Sequence, residues 1–157
     1  MEYGKKELPS MESIMAKIAA GTTSDKKPFF TPGIWKVKID NVIFVTSIKG
    51  VTFFVVNVDV LKKLDAIPGE VVPPVINWMP SIDNSLGCGD VKKFTATVLE
   101  CAEDEGFQLV PRITSAENPF GGIEMMVKAF NRPKKNGDPF TAVIWARADK
   151  YTEGDFD

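Results

Sequence analysis

The residues best placed to do chemistry in this chain are cations interleaved with aromatics. Lys128, Phe130 and Arg132 come first, then Lys134 and Lys135, then Trp145 and Arg147, all within VKAFNRPKKNGDPFTAVIWAR. Flat rings stack on nucleobases, and Lys and Arg meet phosphates, so residues of this kind on one surface suit a single nucleic-acid strand. Other chemistries are poorly supplied. The chain has no histidine, which removes the usual base near neutral pH, His-dependent triads and His-ligated metals. Its two cysteines, Cys88 and Cys101, match no zinc spacing and read as free thiols. There is no P-loop, no GxGxxG and no GxSxG. An enzyme is not expected, nor is a metal or a cofactor.

Length and charge set the frame. The 157 residues fit one domain, and 44% hydrophobic with 25% charged residues is ordinary for a globular protein with a core. No apolar run approaches the roughly 20 residues of a membrane span, and MEYGKKELPS lacks the apolar run of a signal peptide. A cytoplasmic protein that does not enter membranes is expected. The net charge of −2 excludes a uniformly basic nucleic-acid binder but not a local basic face. Residues 1–28 hold five Lys and four acids, residues 29–150 hold fourteen bases and fourteen acids, and residues 151–157 hold three acids alone. Three parts follow: an N-terminal helical arm and linker (1–28), a main domain (29–150) and an acidic tail (151–157).

The elements that must position the cations read as follows. Met11, Ile14, Met15, Ile18 and Ala19 form one helical face, with Ser10 to cap it and Gly21 to end it. It packs on the domain or docks on a partner subunit as an oligomerisation arm. From Gly33 the period changes to two. Trp35, Val37 and Ile39 alternate with Lys36, Lys38 and Asp40, and NVIFVTS continues the strand through a bend. After the SIKG turn, Thr52, Phe54, Val56, Val58 and Val60 share one face of a second strand, with Phe53, Val55, Asn57 and Asp59 on the other. EVVPPVINWM is a third extended segment, kept at a sheet edge or bulge by its prolines. A helix capped by Asp90 carries Val91, Phe94, Val98 and Cys101, and residues 107–122 read as irregular. In the fourth strand Ile123, Met125, Val127 and Ala129 point in, forcing Lys128, Phe130 and Arg132 out. In the fifth, Phe140, Ala142, Ile144 and Ala146 point in, forcing Trp145 and Arg147 out. Asn136–Gly137 makes the hairpin turn between them.

Three strands, a helix and two strands is the order of a mainly β, five-stranded Greek-key barrel of the OB type, with the helix between strands three and four. Such barrels bind single strands or sugars near strands two and three and through the loops after strands one and four. Those loops hold Lys49 and the Lys134–Lys135 pair. The candidate surface is therefore Lys36, Lys38, Lys49, Phe53, Lys128, Phe130, Arg132, Lys134, Lys135, Trp145 and Arg147. Two plainer alternatives stand beside it. Phe130 and Trp145 are covered by the N-terminal helix or by residues 107–120, and Lys134 and Lys135 are only solvated hairpin charges.

The ordered segments FFTPGIWKVKIDNV, PGEVVPPVINWM, SLGCGDVKKFTATVL, NPFGG and VKAFNRPKKNGDPFTAVIW resemble the OB-fold single-stranded-DNA-binding proteins of tailed bacteriophages over residues 29–147. The resemblance implies an accessory protein of phage DNA replication and recombination that coats single-stranded DNA in the host cytoplasm. It also implies an acidic tail with a near-terminal aromatic that docks replication proteins. Glu153, Asp155, Phe156 and Asp157 match that tail in part, since the acidic run is short and Asp157 follows the aromatic. The alternative function is a structural or assembly module of a virion, a β-barrel joined to its neighbours by the N-terminal arm.

Overall fold

The computed structural model describes residues 29–133 and 139–152 together with Met11 and Met15, the side chains of 133, 139 and 140 excepted. The expected N-terminal helix lies, apart from those two methionines, outside the described residues.

The fold is mainly β. Its strands are β1 (Gly33–Thr46), β2 (Thr52–Lys63), β3 (Val75–Trp78), β4 (Glu124–Pro133) and β5 (Pro139–Arg147). Among the described residues one helix has several turns, α1 (Ser85–Leu99), between β3 and β4. The strand pairings are antiparallel, and the strands lie in the order β3-β2-β1-β4-β5. The sheet is open, with β3 and β5 at its two edges. The expected strand count, helix position and edge placement of the proline-bearing third strand all hold.

One face of the sheet and one face of α1 enclose the core. Trp35, Val37, Ile39 and Val42 of β1 meet Phe54, Val56 and Val58 of β2, Ile76 of β3, and Met125, Val127 and Ala129 of β4. Each fully buried large apolar side chain contributes about 1.5–3 kcal/mol. β1 reaches its full length by register shifts between Lys36 and Val37 and between Ile39 and Asn41. The second shift is the bend expected there, and it keeps Val42 on the core side.

The helix begins earlier than its sequence suggests. Its cap is Asn84, whose Oδ1 accepts from the Gly87 N–H at 2.7 Å, rather than Asp90. A cap at Asp90 leaves LGCG outside the helix, yet Gly87 lies inside it, where the chain passes close by. A Cβ there would fall 1.7 Å from the Ser81 carbonyl oxygen. The helix ends at Glu100, which takes the left-handed conformation, φ 58° and ψ 47°. Cys101 therefore lies beyond it. A short helical turn follows at Glu103–Gly106, and residues from 107 on, expected to be irregular, form two more, Phe107–Leu109 and Val110–Ile113. Glu103, Asp104 and Glu105 occupy the first of these turns, where carboxylates suit the exposed N–H groups.

The two sheet edges meet through side chains. Trp78 of β3 and Trp145 of β5 lie 5.3 Å apart by ring centroid, and Phe94 of α1 touches both, at 5.4 and 4.8 Å. No helix among the described residues is long and apolar enough to cross a membrane.

Candidate nucleic-acid interface

The sheet face turned away from the core carries three of the expected cations, Lys36, Lys38 and Lys128. Lys36 and Lys38 alternate with the buried Trp35, Val37 and Ile39, so the pleat sends them outward. Lys128 and half-buried Phe130 leave β4 on the same side, because Val127 and Ala129 point in. Pairing brings these residues together: Ile34 is opposite Lys128, and Lys36 is opposite Met126. Lys62 joins them across β2, opposite Lys36. Alternation from the core residue Val58 does not predict that placement. It follows from the register shift beside Leu61, which has no signature in the sequence. Carboxylates temper the face: Lys36 lies 3.5 Å from Glu124 with both side chains nearly half exposed, and Lys38 is opposite Asp59. An exposed pair of this kind holds little energy.

The fifth strand is turned over relative to its sequence reading. Val127 is opposite Trp145, Ala129 opposite Val143 and Met125 opposite Arg147. Directly opposed residues in an antiparallel pair share a face, so Trp145 and Arg147 lie on the core side. Ile144, expected inside, is 44% exposed, and Trp145 is 8% exposed. The expected inward placement of Phe140 lies outside the described side chains. The physical reason is area. An indole in this position buries itself among Phe30, Trp78 and Phe94, at centroid distances of 5.9, 5.3 and 4.8 Å, whereas Ile144 would bury less. The small Ala129 beside it leaves room. Trp145 is therefore a core residue and not a stacking platform. Its buried Nε1 has no conventional hydrogen-bond partner among the described residues.

Arg147 is likewise committed. Its Nη1 donates to the Val98 carbonyl of α1 at 2.7 Å, and its Nε and Nη2 donate to Asp149 at 3.1 and 3.2 Å. Glu100 adds a carboxylate at 3.5 Å. The guanidinium thus satisfies an orphan carbonyl at the helix C-terminus, where positive charge is favoured. The hydrogen bond to Asp149 raises the Arg147 pKa further and holds the Asp149 carboxyl below its ordinary value. Sequence reasoning placed Arg147 outward, and the structure makes it a clamp between β5 and α1.

Half-buried Phe53 and exposed Lys49 lie at a different end of the sheet. Phe53 pairs with Val45, and Ala129 pairs with Gly33. The two positions are separated along β1 by roughly 40 Å at about 3.3 Å per residue. Phe53 and Phe130 are not one platform. Lys49 sits in the turn after β1, near Phe53. Lys134, Lys135, Glu153, Asp155, Phe156 and Asp157 lie outside the described residues.

Arg132 points to a second feature. A cleft of about 1160 Å³ separates α1 and β3 from the β4–β5 hairpin, lined among others by Phe29, Leu86, Lys93, Phe130 and Arg132. Asp90 lies in it, and its partial burial raises the carboxyl pKa, against the pull of Lys93 and Arg132. Phe29, Leu86 and Lys93 were not expected from the sequence. Only the helical spacing of α1, counted from the correct start, would have placed Leu86 and Lys93 on this side.

No protein-family model matches the chain, and no curated protein matches its sequence.

Proposed function

We propose that the chain is a single-stranded-DNA-binding protein that coats DNA without sequence preference in phage replication and recombination. The observation that carries the reading is the outer sheet face, where Lys36, Lys38, Lys62 and Lys128 from three strands surround a track leading to Phe130. Lysines spaced along a face follow a backbone of phosphates, and a ring at the end accepts a base irrespective of its identity. Arg132 and Lys93 at the rim of the cleft extend the track past Phe130.

The OB reading supports the same conclusion. β4 returns by a long connection to lie beside β1, so four strands stand in the order 3-2-1-4, an order that a Greek key would have. The contact of Trp78 with Trp145 across the open side is where closure of an OB barrel would fall. The resemblance to phage proteins of this class supplies the replication context, and docking of replication proteins by the tail rests on it alone.

The three tryptophans all face the core, so binding is best read from the anisotropy of a labelled oligo-dT rather than from indole emission. Wild type binds at low salt, and Phe130→Ala weakens binding by about 1–3 kcal/mol on every sequence. An oligonucleotide that stays free at low salt with micromolar protein rejects the proposal.

A further inference from the structure

β1 runs past the strand that flanks it. β4 pairs with Gly33–Lys38 only. The loop before β4 reaches slightly further: the Ile39 N–H donates to the Ile123 oxygen at 2.8 Å, and the Ile39 oxygen accepts from Gly122 at 2.7 Å. Asn118 Nδ2 then donates to the Asp40 oxygen at 2.8 Å. From Asn41 to Thr46, β1 is paired with β2 alone, and its other edge has no partner among the described residues. That edge reads Asn-Val-Ile-Phe-Val-Thr. Ile43, Phe44 and Val45 in its middle are 37%, 43% and 38% exposed.

Natural sheets guard such edges with lysine, proline, a bulge or a covering segment, because an unpaired ladder templates another strand. Within Asn41–Thr46 there is no charge, no proline and no register shift. Alternate unpaired N–H and C=O groups select an extended backbone as their partner. We infer that Asn41–Thr46 is a homodimerisation edge, at which two copies of the chain pair antiparallel about Phe44. The register follows from the side chains. Opposed residues must share a face, so residues of like parity oppose one another. Phe44 against Phe44 of the second copy sets Ile43 against Val45, and Val42 against Thr46. The three exposed side chains then cover each other. Such a contact is two-fold and closes on itself, giving a dimer rather than a fibre. The free edge spans only six residues, so the dimer is concentration-dependent. The inference does not depend on DNA binding.

Sedimentation velocity of the full chain over a wide concentration range tests it. The 17.3 kDa chain should shift towards twice that mass as concentration rises. Phe44→Lys, which opposes two like charges at the two-fold axis, should return it to monomer with unchanged far-UV circular dichroism. A second variant does not depend on that one folding. Opposed Cα atoms in an antiparallel pair are about 4.5–5.5 Å apart, a span that a disulfide bridges. In a Cys88→Ser background, Phe44→Cys should therefore yield a covalent dimer on mild oxidation, whereas Ile43→Cys, which faces Val45, should not. A chain that stays monomeric at every concentration overturns the inference. So does a dimer that survives Phe44→Lys, or one in which Phe44→Cys fails to cross-link.

Discussion

Truncating Trp145 to alanine separates the two possible faces of β5. On the core side, the truncation removes the ring that packs on Phe30, Trp78 and Phe94, all within 6 Å by ring centroid, and leaves a hole between the two sheet edges. Removing a buried Trp costs about 3–5 kcal/mol, a large part of the roughly 5–15 kcal/mol that holds a domain together. For a chain of this size that corresponds to a fall in melting temperature on the order of 10–20 °C. Trp145→Phe should cost much less, because it keeps a ring and removes an indole N–H that has no conventional partner among the described residues. The assay is thermal or urea unfolding followed by far-UV circular dichroism, with oligo-dT affinity measured on the still-folded protein well below the melt. Had Trp145 pointed outward, its truncation would leave stability within about 0.5 kcal/mol and weaken DNA binding instead. An unchanged melt with weakened affinity would refute the placement of β5.

Other outcomes follow from the same structure. Arg147→Gln releases the Val98 carbonyl and the Asp149 pair and should lower stability by about 1–3 kcal/mol by urea unfolding, with the salt dependence of DNA binding unchanged. Glu70 accepts a hydrogen bond from Lys63, which lies over the Trp35 ring, and that bond holds the Glu70 carboxyl below its ordinary 4.5. Its contribution is therefore complete above pH 4.5 and lost as pH falls through the lower folded value, so Glu70→Gln should flatten the acid limb of the stability profile. Asp90 has the opposite sign: burial raises its folded pKa above 3.8, so its charge opposes folding at neutral pH. Asp90→Asn should stabilise the protein at pH 7, and the gain should vanish below pH 3.8, checked by urea midpoints across pH.

How much of this was legible depended on whether a strand's two rows differ. In β1 up to Ile39 and in β2 up to Val60 one row is apolar and the other carries Lys36, Lys38, Asn57 and Asp59, so the period of two fixed both faces there. In β5 one row is Phe140, Ala142, Ile144 and Ala146, and the other contains Val143 and Trp145. Both rows are mainly apolar, and Ile144, which belongs to the wholly apolar row, is the one on the outer side. The inner row ends in Arg147, which the pattern reads as a solvent residue. It is tolerated there because the end of α1 presents a carbonyl and Asp149 a carboxylate. The choice was made by tertiary packing around Trp145, which no local pattern encodes. The helix start failed for a related reason: Gly87 packs closely against Ser81, while its type signals a break. Lys62 was missed because a register shift moved it to the face of Lys36. The long lysine-bearing β1 and the edge position of β3 needed no such help and were readable directly.

The most direct test of the central claim is the salt dependence of oligo-dT affinity for wild type against Lys36→Ala/Lys38→Ala/Lys62→Ala. These three lysines stand on the outer face of β1 and β2, with side chains free of the core, so their removal should leave the fold unchanged. On single strands the log–log slope is about −0.7 per phosphate neutralised. If the outer face tracks the DNA backbone, the variant binds more weakly, and its slope is shallower by about 0.7 for each phosphate that is no longer neutralised. Equal affinity and an equal slope in the two proteins would contradict the account.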